Sequence, residues 1–205
     1  MNLHHVLQAI VTVLAVINPM VCGSIFLSLT PNVDRASQRR LASKVSIGIL
    51  VILGASALVG QAVLQALGIS LEVFEVVGGV IIAYMGFNML SGGSAFRPPT
   101  SKRKQGTDVQ LTPLMMFAAG PGTIAAVVTL AAAHASDGSP STAIIASIVG
   151  AMVTFAALLL AIQVGGRLGE STEAGVTRFM GLIVASMGMQ FMLVGLKEFF
   201  STQTG

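Results

Sequence analysis

The chain has 205 residues, of which 54% are apolar and only 9% are charged. Soluble domains carry roughly 25% charged residues, so this composition excludes a disordered segment, a collagen-like fibre, a disulfide scaffold and most water-soluble enzymes. The mean hydropathy of +0.85 and the 23 glycines, which let membrane helices approach closely, instead predict an all-α polytopic membrane protein.

Six apolar runs are long enough to cross the roughly 30 Å core of a bilayer. They cover residues 3–29, 41–67, 71–90, 111–133, 142–164 and 176–199. Strands of an outer-membrane barrel alternate with a period of two residues, whereas these runs are uniformly apolar. We expect a single membrane domain over residues 1–205, built from six transmembrane helices.

Lys and Arg residues are concentrated on one side of this arrangement. Six spans place both termini on one side and the first, third and fifth connections on the other. These three connections hold 10 of the 11 basic residues, namely Arg35, Arg39, Arg40, Lys44, Arg97, Lys102, Arg103, Lys104, Arg167 and Arg178. The positive-inside rule therefore predicts cytoplasmic basic loops, including residues 92–110, and both termini outside, in a bacterial-type inner membrane.

The basic run at residues 102–104 is the one segment that suggests nucleic-acid binding. It lies in a short loop without interleaved aromatic residues. We interpret it as a determinant of topology that also meets anionic lipid. The expected partner is the lipid bilayer, and we expect no nucleic-acid partner.

The two halves of the chain resemble each other at an offset of 102 residues. The matched pairs are Pro19 and Pro121, Gly48 and Gly150, Gln61 and Gln163, Gly79 and Gly181, Ala83 and Ala185, and Gly86 and Gly188. Each unit, residues 1–91 and residues 111–205, contains three spans, and an odd number predicts that the two halves are inverted. Inverted repeats are typical of secondary transporters; the alternative is a duplicated bundle that transports nothing.

A proline interrupts the first helix of each predicted repeat. Asn18-Pro19 lies midway along the first span, and Gly120-Pro121-Gly122 lies midway along the fourth. Proline removes a backbone donor and costs about 3 kcal/mol in a helix interior, so a break within the bilayer must be buried in protein or line a polar cavity. Matching broken helices in two halves indicate a transport site, although a kink without a ligand remains the alternative.

The breaks supply the predicted substrate-binding residues. A helix that begins inside the bilayer presents free N–H groups and a positive dipole end, which suit a carboxylate. We expect backbone donors near residues 22–24 and 122–124, and side chains that orient a substrate ammonium. The predicted set is Asn18, Pro19, Cys22, Gly23, Ser24, Gly120, Pro121, Gly122 and Thr123.

Ionisable groups are missing from the middle of every span. A carboxylate proton relay, an intramembrane protease and an ATP-driven pump are therefore not expected, because their motifs are absent. We expect no enzyme activity, no cofactor and no metal site, and a small zwitterion suits a site without fixed charges. Glu75 lies one turn inside the third span, and we expect it to reach water at the interface.

The residues around both breaks resemble the signatures of the MarC family. The matching segments are Ile17-Asn18-Pro19 with Ile25-Phe26-Leu27-Ser28-Leu29-Thr30, Pro113-Leu114 with Ala119-Gly120-Pro121-Gly122-Thr123-Ile124, Gly78-Gly79, and Arg178 with Gly181. This resemblance implies a six-helix inner-membrane protein of two inverted halves that transports neutral amino acids such as glycine, alanine and serine. Three positions depart from the family pattern: Val21 replaces a glycine, and Ser24 and Phe117 replace prolines.

The leading hypothesis is therefore a secondary transporter of small neutral amino acids that works by alternating access. Two alternatives remain open: an exporter of other small metabolites on the same fold, and a non-transporting membrane scaffold. The coupling ion, sodium at carbonyls of the breaks or a proton at Glu75, is left open, as is the existence of an oligomer.

Overall fold

A computed structural model of the protein describes residues 3–92, 111–133, 140–165 and 170–203. Within these ranges the chain is helical and contains no strand. The helices are α1 (Leu3–Ile17), α2 (Pro19–Leu29), α3 (Arg35–Ala66), α4 (Leu71–Leu90), α5 (Thr112–Ala118), α6 (Pro121–Ala133), α7 (Ser141–Val164) and α8 (Glu170–Gln203). They make six spans that are long and apolar enough to cross a membrane, which confirms the predicted class and number.

Both predicted helix breaks are present. The first span consists of α1 and α2, which are separated at Asn18, and the fourth consists of α5 and α6, which are separated at Ala119 and Gly120. In each case proline is the first residue of the second segment. Proline fits this position because the first helical residue has no intrahelical acceptor for an N–H group.

Helix α3 begins six residues earlier than the predicted span at residue 41. Asp34 caps it, because its carboxylate accepts a hydrogen bond of 2.9 Å from the backbone N–H of Ser37. The same hydrogen bond lowers the pKa of Asp34 below its ordinary value. The expectation that Arg35, Arg39, Arg40 and Lys44 lie in a loop is therefore wrong: they lie on the first three turns of α3.

The last helix begins at Glu170, before its predicted start at residue 176. Arg178, which was counted with the fifth connection, therefore lies two turns inside α8 and not in a loop. The remaining predicted loop cations, Arg97, Lys102, Arg103, Lys104 and Arg167, lie outside the described residues. Most of the predicted basic loop at residues 92–110 lies outside them as well.

Each broken span packs along the middle helix of the other half. A methyl group on Gly150 of α7 would lie 3.0 Å from the Val13 side chain of α1, and one on Gly23 of α2 would lie 3.2 Å from the Ala161 side chain of α7. The contacts advance along both spans in the same direction, so α1 and α2 run parallel to α7.

The same relationship joins α5 and α6 to α3. A methyl group on Gly48 would lie 2.9 Å from Cε of Met115, and one on Gly60 would overlap the Val128 side chain. Gly48 is the counterpart of Gly150 in the sequence repeat, and each of the two faces the broken span of the opposite half.

Helices α4 and α8 pack backbone against backbone. A methyl group on Gly79 would lie 2.6 Å from the Gly188 carbonyl oxygen, and one on Gly188 would lie 2.6 Å from that of Gly79. The pair Gly86 and Gly181 shows the same reciprocal approach, at 2.6 and 2.9 Å. The contacts run in opposite directions along the two helices, so α4 and α8 are antiparallel, and glycine is required because any side chain would separate them.

The core surrounds the two breaks, and the outside is apolar. Phe26, Leu53, Leu114 and Leu158 are fully buried. Large apolar side chains are exposed along the outer faces, including Val51, Leu58, Tyr84, Met116, Met152, Leu160 and Phe179. Exposed apolar surface of this extent marks contact with lipid or protein, which agrees with an integral membrane protein.

The glycine contacts predict a measurable difference between two Gly→Ala substitutions. Gly86→Ala places a methyl group on the Ala185 backbone, whereas a methyl group at Gly54 meets no described atom within 4 Å. We expect Gly86→Ala to destabilise the protein by about 1–3 kcal/mol through overpacking. We expect Gly54→Ala to be neutral or to stabilise by about 0.5–1 kcal/mol.

Thermal unfolding with a thiol-reactive fluorophore measures both effects, because Cys22 is the only cysteine and is buried. Equal melting temperatures for the two variants would show that α4 and α8 are not in backbone contact.

Candidate functional site

Asn18 forms the first break. Its φ of 50° and ψ of 75° are left-handed, a conformation that asparagine adopts more readily than most residues. Its side-chain Oδ1 accepts a hydrogen bond of 3.4 Å from the N–H of Val21, and its carbonyl oxygen accepts one of 3.1 Å from the N–H of Cys22. Asn18 is therefore the N-cap of α2, a role for which asparagine is strongly preferred.

This cap occupies backbone groups that were expected to bind a ligand. The N–H of Cys22 is bonded to Asn18, and Gly23 and Ser24 lie far enough inside α2 for the helix to supply their acceptors. The expectation of free backbone donors at residues 22–24 is wrong, because the carbonyl groups of the first turn, beginning with that of Asn18, accept their hydrogen bonds.

The side-chain amide nitrogen of Asn18 remains without a partner. The residue is only 2% exposed, and its Nδ2 finds no acceptor among the described residues. Leaving a buried donor unsatisfied costs about 1–3 kcal/mol, so a donor of this kind at a helix break is a position where a ligand acceptor would be stabilised.

The other predicted residues of α2 make contacts within the protein. The thiol of Cys22 donates to the carbonyl oxygen of Ile17 at 3.3 Å, which satisfies one group at the end of α1. Gly23 packs on α7, and the half-buried hydroxyl of Ser24 donates to the Met20 carbonyl at 3.5 Å. Pro19 is also half-buried.

The second break is built without a side-chain cap. A side chain at Gly120 would overlap the carbonyl oxygen of Met116, so the tight turn requires glycine. The Gly120 carbonyl accepts a hydrogen bond of 2.9 Å from Ile124. Gly122 and Thr123 are the second and third residues of α6, and helix geometry gives their N–H groups no intrahelical acceptor.

A second unpartnered polar group, a hydroxyl, lies at this break. Thr123 is completely buried, and its Oγ1 has no hydrogen-bond partner among the described residues. Gly122 beside it lies close to α4, where a methyl group would come within 2.9 Å of the Ile82 side chain. Pro121 is exposed, so the buried polar side of this break is formed by Gly120, Gly122 and Thr123.

The two breaks belong to one core. Residues that flank the first break, Ile17 and Cys22, lie in the same continuous apolar cluster as Phe117 and Ala119 at the second. Helix α1 also packs on α6, and α2 packs on α5. The fold therefore places both breaks in one core, although they are about a hundred residues apart in the sequence.

Two further buried hydroxyls escaped the sequence analysis. Ser46 on α3 and Thr129 on α6 are buried with no partner for their oxygen atoms among the described residues. The sequence does not indicate that either hydroxyl is unpartnered, because a single Ser or Thr in an apolar run can equally well donate a hydrogen bond to a carbonyl oxygen of its own helix. Ser147 and Thr154 make such bonds, at 2.7 Å each.

Glu75 does not reach water as expected, since it is only 5% exposed. It lies one turn before Gly78 and Gly79 on the inward face of α4. That face is pressed against α6 and α8, because a methyl group on Gly78 would overlap Ala125 and one on Gly79 would meet Gly188. In the part of the chain that the structure describes, no group of three His, Cys, Asp or Glu residues is placed to hold a metal ion.

The spans and their buried breaks define a polytopic α-helical membrane protein. The family profile described as MarC family integral membrane protein matches residues 3–200. The chain therefore belongs to the MarC family, as the motifs around the breaks suggested.

Curated relatives match over nearly their whole length. The membrane protein YvbG of Bacillus subtilis is 29% identical, with 97% of both chains covered. The membrane protein MJ1677 of Methanocaldococcus jannaschii is 30% identical, covering 96% of this chain and 98% of the relative. The inner membrane protein MarC of Salmonella typhimurium is 27% identical, with 94% of both chains covered. No solved structure matches the chain significantly.

The capping role of Asn18 generates a prediction about stability. Asn18→Ala removes the cap and places alanine in the left-handed region, so we expect a loss of about 1–3 kcal/mol. Asn18→Gly tolerates the positive φ of 50°, and we expect it to cost only a few tenths of a kcal/mol. Chemical or thermal unfolding of the two variants in detergent measures the difference, and equal losses would contradict the left-handed cap.

Proposed function

We propose that this protein is a secondary transporter of small neutral amino acids of the glycine, alanine and serine type. The observation that carries the proposal is the pair of buried, unpartnered donors at the two breaks, Nδ2 of Asn18 and Oγ1 of Thr123. A buried donor without an acceptor destabilises the folded protein. A polar ligand that accepts hydrogen bonds from these two groups would remove that free-energy cost.

The second break suits a carboxylate better than the first. The N–H groups of Gly122 and Thr123 begin α6 without a side-chain cap, and the positive end of the helix dipole is there. The hydroxyl of Thr123 adds a side-chain donor. At the first break the oxygen of Asn18 already caps α2, so only its amide N–H is available to a ligand.

Neutral hydrogen-bonding groups and helix dipoles at the breaks would complement both charges of a zwitterion, and no ionised side chain is needed. Its carboxylate would accept from the N-terminus of α6, from Thr123 and from the Asn18 amide. Its ammonium would lie toward the carbonyl end of α5, where the helix dipole is negative. Buried apolar side chains lie around the breaks, among them Phe117 and Val21, and would favour a substrate with a small side chain. Phe117 stands where the family pattern has proline, and Val21 where it has glycine.

Alternating access requires two nearly equivalent conformations, and inverted repeats provide them. We infer that residues 1–91 and 111–205 are such repeats. The reciprocal contacts support this: exchanging the halves turns the pair Gly79–Gly188 into Gly181–Gly86, and both pairs are in contact. Equivalent helices α4 and α8 are antiparallel, as inversion demands.

The proposal also covers the membrane in which the protein lies and the orientation of the protein in that membrane. The basic faces of the spans would lie in the cytoplasm and both termini outside, in a bacterial-type inner membrane; the Salmonella typhimurium relative is named an inner membrane protein. We propose no enzyme activity and no nucleic-acid partner. Sodium or a proton would drive transport, and an oligomer is compatible with this arrangement.

The chain offers a matched pair of substitutions to test the substrate site. Thr123 and Thr129 are both on α6, both buried and both have an unpartnered hydroxyl, but only Thr123 is at the break. Thr→Val preserves the shape and removes the hydroxyl. We expect Thr123→Val to lower proteoliposome uptake of labelled glycine, alanine or serine roughly ten- to hundredfold, the worth of a hydrogen bond to a charged group. Thr129→Val should keep wild-type uptake.

Uptake is measured with and without a sodium or proton gradient, using protein whose melting temperature is unchanged. Equal losses in both variants would place the site elsewhere on α6. Absence of saturable uptake in the folded wild-type protein would overturn the amino acid proposal. Uptake of a different small metabolite would then favour the alternative exporter, and failure of every solute tested would favour a scaffold.

A further inference from the structure

A cleft opens between the beginning of α3 and the end of α7. Its volume is about 420 Å³. The lining residues are Arg39, Arg40 and Ser43 from α3 and Phe155, Leu159 and Gln163 from α7. The first turns of one helix thus face the last turns of the other, and each half of the chain contributes one wall.

Two of the six described residues that line the cleft are cations, and none of the six is an acid. Arg39 and Arg40 are exposed, and within the described ranges neither guanidinium forms an ion pair. The nearest acid along the chain, Asp34, is bonded to the backbone of Ser37 as the cap of α3. Two guanidinium groups lining one cleft favour an anion with several acceptor oxygens, and arginine binds phosphate through paired hydrogen bonds.

The cleft changes from polar to apolar along its length. Gln163 is exposed near the end of α7, whereas Phe155 and Leu159 are partly buried. Phe155 lies eight residues before Gln163, which is roughly 12 Å along a helix. A ligand that fills the cleft therefore combines an anionic headgroup at the two arginines with a hydrocarbon chain along Phe155 and Leu159.

We propose that this cleft binds the phosphate headgroup of an anionic phospholipid, with an acyl chain lying toward Phe155. Basic pockets between transmembrane helices bind such headgroups in other membrane proteins. The connection at residues 93–110 is a poor alternative occupant, because it carries Arg97, Lys102, Arg103 and Lys104 against the single acid Asp108. Its positive charge would be repelled by the arginines.

Native mass spectrometry of the full chain tests the proposal. The protein is taken from mixed micelles that contain equal amounts of phosphatidylglycerol and phosphatidylcholine, and retained lipid is counted. We expect wild-type protein to retain phosphatidylglycerol selectively. We expect Arg39→Gln with Arg40→Gln to weaken its binding roughly thirtyfold, since each cation near an anionic lipid contributes a factor of about five.

The matched control is Arg35→Gln with Lys44→Gln, which removes the same charge from the same helix at residues that do not line the cleft. It should retain most of the lipid. An equal loss in the control, or equal retention of phosphatidylcholine, would overturn the proposal.

Two further measurements separate a lipid from a free anion and from misfolding. Inorganic phosphate alone should not raise the melting temperature of the wild-type protein, whereas phosphatidylglycerol should; stabilisation by phosphate alone would indicate an anion site without a lipid. Phe155→Ala should weaken retention of the long-chain lipid but not of a short-chain analogue. Equal weakening of both would overturn the acyl-chain placement. The Arg→Gln and Lys→Gln variants should unfold at the wild-type temperature in lipid-free detergent. Phe155 packs against the core, so Phe155→Ala should unfold at a lower temperature, and its retention of the short-chain analogue is the control for correct folding.

Discussion

The structure depends on the demand that backbone polar groups inside a bilayer be satisfied by the protein. Continuous helices meet this demand automatically, but the two proline breaks do not. At the first break Asn18 meets it with its own side chain and a left-handed backbone. At the second, glycine makes the turn and no side chain caps the helix that follows. The two breaks therefore meet this demand differently: in the described part of the chain, a side chain caps the helix after the first break, whereas the helix after the second break is left without one.

This difference between the two breaks determines which hydrogen-bond donors the proposed site contains. Sequence symmetry alone suggests two equivalent half-sites, but position 18 is asparagine and its counterpart, position 120, is glycine. The first break therefore offers one amide donor, and the second offers helix N–H groups with the hydroxyl of Thr123. All of these donors are electrically neutral, so the proposed site would select its ligand through hydrogen bonds and helix dipoles. Such a site suits a zwitterion, whose net charge is zero, better than an ion of either sign.

Glycine governs how the helices fit around these breaks. The repeated glycines at 79, 86, 181 and 188 let α4 and α8 touch through their backbones. Gly48 and Gly150 admit the side chains of the broken spans. The glycine pattern and the broken spans thus form one framework, in which each half holds the broken span of the other. The lipid cleft proposed between α3 and α7 is at the edge of this framework, where both halves contribute a wall.

The sequence by itself determined the class, the six spans, both breaks and the family motifs, because hydropathy and proline act locally. It placed the start of α3 six residues too late, since the cap at Asp34 extends the helix into polar residues. It also misplaced Glu75, because burial depends on which face of α4 meets α6 and α8. The cap at Asn18 is a local contact with Val21, but only the tertiary structure decided that Nδ2 of Asn18 and the Thr123 hydroxyl stay unpartnered among the described residues. Hydrogen-bond partners come from elements distant in the chain, and no local pattern specifies them.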